Sequence, residues 1–467
     1  MRKIATLLLI IFSLNGFSQE TSILDKPKVD KRIELLSIVF KLAGNKEYNN
    51  SPFKLYIDKI NNHFEPYKDH ELIKFATELR QQRGVSYDAV MAMAIHLDEN
   101  LNPRVEFSDK FPESRWGKKN AEQFVKLLKE FYEDAHCEEF FNSNKDMYKE
   151  IGRRFQPIYD ELDLSWYSSF YGKEPSEEFK INIGAVNGGG NYGGAVTPSS
   201  GKKEIYAIIG TWRVDSIGMP VFMKEGYFST LVHEFNHSFV NRLTDLNEEA
   251  LRENGESIFA KVKDVMAPQA YNNWKTVLNE ALVRAAVIKY MKDHNFDSTI
   301  ISRETGQQLS RGFIWIKDLV EELEKYDQNR NVYPTLESYI PQIIKAYSIY
   351  ANNMDKYLED INNERPKVVS INEIANGDAN VDVTLKTITV NFDKPLLGRG
   401  YSINYGDKGK DAFPKIEKVV YANDNKTLIL TLNLENNKEY QLVLTGRAFQ
   451  SANGIGIDDY EINFKTK

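Results

Sequence analysis

The residues in this chain best suited to chemistry are His233-Glu234-Phe235-Asn236-His237. On a helix, imidazoles four residues apart share one face one turn apart, and both can reach a single ion. Two neutral imidazoles and a carboxylate, with a fourth position open to water, suit Zn2+. Glu234 directly follows the first histidine, where it can serve as general base toward that water. With 7 His in the chain, a chance match to this pattern is expected on the order of 0.01 times, before helical context is required. His63, His70, His96, His136 and His294 lack such partners and read as structural or surface residues.

Two carboxylates compete for the third ligand position. Glu280 sits in Trp274–Tyr290, a strong amphipathic segment that could lie against the motif helix. Glu256 follows His237 at a spacing known among zinc aminopeptidases, but its setting, Arg252-Glu-Asn-Gly-Glu256, is polar and turn-like. Glu280 is preferred. For either residue, taken alone, a solvated helix carboxylate is the blander reading. Arg284, one turn after Glu280, would either pair with that ligand or face a substrate.

The elements that must hold these residues follow from periodicity. From about Lys28 to Leu164 apolar residues recur at helical spacing, as in Ile33, Leu36, Val39, Phe40 and Phe124, Leu127, Leu128, Phe131, predicting an all-helical region. Phe179–Val186 alternates like a strand, 187–194 is rich in glycine, and Glu204–Val214 is rich in strand formers, which together predict a small antiparallel sheet. Helical spacing returns from Tyr227 to Tyr350, with Phe228, Leu231, Val232, Phe235 and Phe239 on one stripe. After the turn at Asn362–Pro366, short alternating runs such as Thr387–Phe392, Lys426–Leu432, Tyr440–Leu444 and Tyr460–Phe464 predict a β-sandwich.

The His233–His237 motif with the downstream Asn279-Glu280-Ala281 resembles the gluzincin branch of the zincin metallopeptidases, over roughly 179–350. The segment from the N-terminal helices through Tyr192-Gly-Gly is also similar to a family of secreted bacterial proteins, which implies no substrate. The Ile-Thr-Val-Asn-Phe-Asp-Lys-Pro stretch at 388–395 resembles bacterial immunoglobulin-like modules. The zincin resemblance implies Zn2+ on His233, His237 and Glu280, with Glu234 taking a proton from the attacking water and passing it to the leaving amine. It implies an oxyanion donor, for which Tyr326, Tyr333 and Tyr339 are candidates; Tyr339 is put forward, and each also reads as a packing residue. It implies further an edge strand that holds an extended substrate, either Glu204–Val214 or the glycine-containing Asn191–Val196.

The expected fold class is therefore α+β: a mostly helical zincin-like catalytic domain with a small antiparallel sheet, followed by an all-β Ig-like sandwich. The expected divisions are a signal peptide over 1–18, an N-terminal helical region over 19–178, the catalytic domain over 179–361 and the sandwich over 367–467. Met1-Arg2-Lys3, the short apolar run Ile4–Leu14 and the small residues before Gln19 form a cleavable signal, with cleavage after Ser18 and no cysteine nearby for a lipid anchor. No run is long and apolar enough to span a membrane, so the mature chain is expected to be secreted or periplasmic. A net charge of -7 with interspersed signs argues against nucleic acid as a partner. The lone Cys137 excludes an internal disulfide and, in an aromatic helical stretch, reads as a buried small hydrophobe rather than a nucleophile. The expected function is a peptidase acting on peptide or protein, with the Ig-like module contacting cell surface, protein or glycan. The competing reading is a metal-free scaffold that binds extracellular protein or glycan.

Overall fold

A computed structural model describes residues 24–467 apart from Gly188, Ser200 and the side chain of Glu225; the expected signal segment over 1–18 lies outside the described residues. The chain divides into two units, one of residues 1–156 and 177–211 and the other of 157–176 and 212–467.

In the first unit, helices such as Lys31–Leu42, Glu71–Arg83 and Lys118–Asp134 bury one apolar face each. Phe40 meets the rings of Tyr48, Trp116 and Phe124, and Phe64 meets Phe131 and Phe140, so aromatic packing dominates this core. Cys137 is fully buried there, and burial pushes its thiol well above the usual range. That keeps it protonated and unreactive, as the aromatic setting in the sequence predicts.

Four strands form the sheet of this unit: β1 (Leu24–Val29), β2 (Glu178–Gly184), β3 (Tyr192–Val196) and β4 (Glu204–Gly210), in the order β1-β2-β4-β3. The sheet is mixed, and the antiparallel expectation is corrected: β1, β2 and β4 run parallel, and only β3 is antiparallel to β4. The chain leaves β2, skips one position to form β3, and returns by a hairpin to fill the gap with β4. β4 is buried at every residue, the pattern of an interior parallel strand covered on both faces rather than a half-exposed antiparallel one. Paired on both sides, β4 cannot accept an added strand; of the two candidate substrate strands, β3 alone has an open edge. β1 was not expected. Its sequence, Leu-Asp-Lys-Pro-Lys-Val, is polar and carries Pro27, which an edge strand with an irregular register tolerates.

Glu34 ties the first helix to this sheet, its Oε1 accepting the Ala185 N–H at 2.7 Å. The carboxyl is fully buried, and burial pushes it up to about 8 against the opposing pull of the Ala185 N–H and the Tyr56 hydroxyl. An acid raised in the folded state carries a proton that the unfolded chain has already released. Its contribution is therefore complete below about pH 4.5 and is lost as pH rises toward 8. Glu34→Gln keeps the acceptor and removes the titration. Urea denaturation should find the variant within about 1 kcal/mol of the parent at pH 5, with its advantage over the parent larger by about 3 to 4 kcal/mol at pH 8. Equal losses in both proteins over this interval would assign the pH dependence to other groups.

The second unit takes its first residues from farther upstream than expected, since the helix Ser165–Tyr171 belongs with the motif helix rather than with the N-terminal helices. Aromatic stacking explains this: Trp166 lies against Tyr290, and Tyr171 stacks on Phe239 at 4.2 Å. The strands over 178–210, expected in the catalytic domain, group with the first unit instead.

The sandwich follows the predicted alternation. Its strands are β5 (Val368–Ile371), β6 (Asp378–Val381), β7 (Thr387–Phe392), β8 (Ile403–Asn404), β9 (Lys415–Ala422), β10 (Thr427–Asn433), β11 (Glu439–Leu444) and β12 (Tyr460–Thr466). They form two sheets, ordered β5-β7-β10-β9 and β6-β12-β11-β8. Ile388, Val390, Leu428, Leu430, Leu442, Leu444 and Ile462 fill the space between them. The sandwich touches a helix of its own unit. Its turn Ser451–Gly456 packs on the helix Ser298–Ser310, with Ser310 Oγ bonded to the Gly454 carbonyl at 3.1 Å. A Cβ on Gly306 would fall 1.5 Å from the Asn453 carbonyl oxygen, so only glycine permits this approach.

Candidate metal centre

The motif lies on the helix Lys224–Leu246. Phe228, Leu231, Val232, Phe235 and Phe239 are buried, as the predicted stripe requires. This face packs on the helix Trp274–Asp293, whose start is capped by the Asn273 side chain. Polar clamps fix the pair: Thr244 Oγ1 donates to Asn279 Oδ1 at 2.6 Å, and buried Asn236 accepts from Tyr171 at 2.9 Å while donating to the Val283 carbonyl at 3.4 Å. The helices are thus locked in one register where the site is formed.

That register brings His233, His237 and Glu280 together, the group of His, Cys, Asp and Glu side chains found among the described residues that could hold a metal ion. His237 Nε2 lies 3.1 Å from His233 Nε2 and 3.4 Å from Glu280 Oε1, and His233 Nε2 lies 3.6 Å from Glu280 Oε2. Ligands at about 2.0–2.1 Å from a tetrahedral ion stand roughly 3.3 Å from one another, so these separations fit such an ion. Three acceptor atoms converge, and a cation would satisfy all of them. Burial and the charge of Arg284 hold His233 well below the usual imidazole range, which keeps it in the neutral form that binds metals. His237 Nδ1 is 3.1 Å from Asn241 Oδ1; donation there leaves the Nε2 lone pair for the ion.

Glu280 is itself supported. Arg284 Nη2 donates to its Oε2 at 2.8 Å, and Tyr271 donates to the same oxygen at 3.2 Å. Arg284 also donates to Tyr271 and, at 2.9 Å, to Gln308 Oε1. Of the two roles open to Arg284 in the sequence, it takes the pairing one. Burial and the neighbouring Glu280 carboxylate push Glu234 up to about 8, against the opposing pull of Arg284. A carboxyl with such a value is matched to proton exchange near neutral pH.

Other candidates lie elsewhere. Glu256 is exposed on the helix Glu248–Met266 and faces Arg252 at 3.8 Å. The expectation for Tyr339 is corrected: its hydroxyl donates to Glu322 at 2.7 Å and its ring packs on Tyr326 and Tyr333. Tyr326 in turn donates to the Phe170 carbonyl. The phenol at the site is Tyr271, which the sequence reading missed. It stands in a turn after Ala270, whose φ is +66°, and its one signal is its place just ahead of the Asn273 cap. Four of the other histidines have structural partners: His63 the Ala135 carbonyl, His70 Asp134, His96 the Ala92 carbonyl and His294 Asp163.

Among the described residues no helix is long and apolar enough to cross a membrane. No curated protein matches the chain. Solved structures of the surface layer protein SbsC align at 13% and 14% identity, each with a TM-score of 0.17. The first covers 51% of this chain and 33% of that one, and the second 84% and 45%, so this chain spans less than half of either. Residues 362–466 match the bacterial Ig-like domain, in accord with the sandwich. Residues 27–346, more than half of the chain and the whole of the metal centre, match the domain of unknown function DUF4932, and the chain belongs to that family.

Proposed function

We propose that this protein is a zinc-dependent hydrolase of peptide bonds, of gluzincin type, that works outside the cytoplasm. The observation that carries this reading is the convergence of His233, His237 and Glu280 at separations that suit a tetrahedral ion. When bound, zinc would supply Lewis acidity toward a peptide carbonyl and toward water.

The side chains divide the remaining work. His233, His237 and Glu280 hold the ion, while Arg284 and Tyr271 fix the Glu280 carboxylate. Glu234 accepts a proton as water oxygen bonds to the carbonyl carbon, then gives that proton to the amide nitrogen as the carbon–nitrogen bond breaks. The products are a carboxylic acid and an amine, and Glu234 returns to its starting state.

The test is metal analysis joined to hydrolysis. Purified chain equilibrated with zinc and desalted should retain about one ion per molecule. It should cleave members of a peptide library, lose that activity to a chelator and regain it with zinc. Retention of less than about half an equivalent would reject the metal reading and favour the binding scaffold.

A further inference from the structure

The helix Ser298–Ser310 touches both the sandwich and the residues that hold Glu280. Residues four apart on a helix share a face, and those two apart look to nearly opposite sides. Gly306 and Ser310 form the face turned to the sandwich. Gly306 meets the Asn453 carbonyl, and Ser310 Oγ donates to the Gly454 carbonyl and accepts the Gly456 N–H at 3.3 Å. Gly454 adopts a φ of +81°, and a Cβ there would lie 3.3 Å from the Gly306 Cα, so backbone meets backbone at this contact. Arg365, just ahead of the sandwich, clamps the same turn by donating from Nη1 to the Gly456 carbonyl at 2.9 Å.

Glu304 and Gln308 lie on the other side of the helix. Gln308 is buried, and both ends of its amide are engaged: Nε2 donates to Glu304, and Oε1 accepts from Arg284 Nη1 at 2.9 Å. An amide held at both ends keeps its acceptor aimed at the guanidinium. Just past the helix, Phe313 bonds through its N–H to the Gln308 carbonyl and sets its ring centre 5.0 Å from that guanidinium. Arg284 is thus fixed from the side of this helix, and its Nη2 donates in turn to Glu280 Oε2 at 2.8 Å. A continuous chain of contacts runs from Asn453 and Gly454 through Gly306, Gln308 and Arg284 to the candidate ligand.

We propose that Gln308 is a positioning residue for Glu280, and that the sandwich, by seating the helix Ser298–Ser310, sets the geometry in which Glu280 meets a metal ion. This rests on the metal site of the hydrolase reading and gives the Ig-like module a role within it.

Zinc affinity in competition with a chelator and the visible spectrum of cobalt(II)-loaded protein both read ligand geometry without turnover. Gln308→Met keeps the bulk and removes the acceptor; it should weaken zinc binding by about tenfold and alter the cobalt spectrum. Gly306→Ala drives a Cβ into the Asn453 backbone and should weaken zinc binding by about 3- to 10-fold, although it touches no ligand. Ser310→Ala, a milder change that removes two hydrogen bonds to the turn, should act in the same direction. Because the contact acts through Gln308, Gly306→Ala should add little to the loss already present in Gln308→Met. Leu430→Ala, in the core between the sandwich sheets, controls for stability alone: it should lower the melting temperature and leave zinc affinity within about twofold of the parent. Affinity unchanged in Gln308→Met, or in both Gly306→Ala and Ser310→Ala, would overturn the proposal, as would additive losses or an equal loss in Leu430→Ala. The parent itself reports on the hydrolase reading: zinc retained without peptide cleavage would sink that reading and leave the positioning role to these variants, whereas no retained zinc would sink both.

Discussion

Glu234→Gln should retain zinc at the level of the parent and lower peptide hydrolysis by about a hundredfold to ten-thousandfold, because the amide cannot take the proton from water. Gln matches Glu in size and suits the helix equally well. It also removes a carboxyl that burial and the Glu280 charge disfavour in its ionised form, so the fold should not suffer. Zinc stoichiometry and melting temperature, measured beside the rate, show whether the loss lies in the chemistry. Hydrolysis within tenfold of the parent would remove Glu234 from the mechanism and leave the metal ligands to be explained otherwise.

The part of the site that could be read in the sequence is the part encoded by local spacing. His233 and His237 meet because a helix turns once in about four residues, a relation fixed within five letters. Glu280 needed more, and the sequence left Glu256 open, because the choice depends on which helix packs against the motif. Tyr271 and Gln308 could not be found this way. They reach the site from a turn and from a separate helix, and their positions depend on how Trp274–Asp293 lies against Ser298–Ser310. The same division holds for the folds. Alternation in Thr387–Phe392 and its neighbours suffices for a sandwich, since β7, β10 and β12 each turn one face into the core. β1 gives no such signal, because Asp25, Lys26, Pro27 and Lys28 interrupt any pattern and the strand exists only through pairing with β2. Strand direction in that sheet was likewise settled by tertiary pairing.

The choice between the two carboxylates leads to the second large effect. Glu280→Gln should weaken zinc binding by about a hundredfold or more in competition with a chelator, while Glu256→Gln should leave it unchanged. The carboxylate of Glu280 faces both imidazoles, whereas that of Glu256 is exposed beside Arg252. One complication has a physical remedy. Removing the charge of Glu280 leaves Arg284 buried without its ionic partner, and such a loss typically costs about 3 to 5 kcal/mol. Weaker zinc binding could then reflect a loosened fold. The double variant Glu280→Gln, Arg284→Met removes both charges and should recover most of that stability, because a buried ion pair replaced by groups of similar size is often neutral for folding. It should still fail to hold zinc. Recovery of stability without recovery of zinc assigns the loss to the missing ligand. Recovery of both, or an equal loss of zinc in Glu256→Gln, would place the third ligand elsewhere.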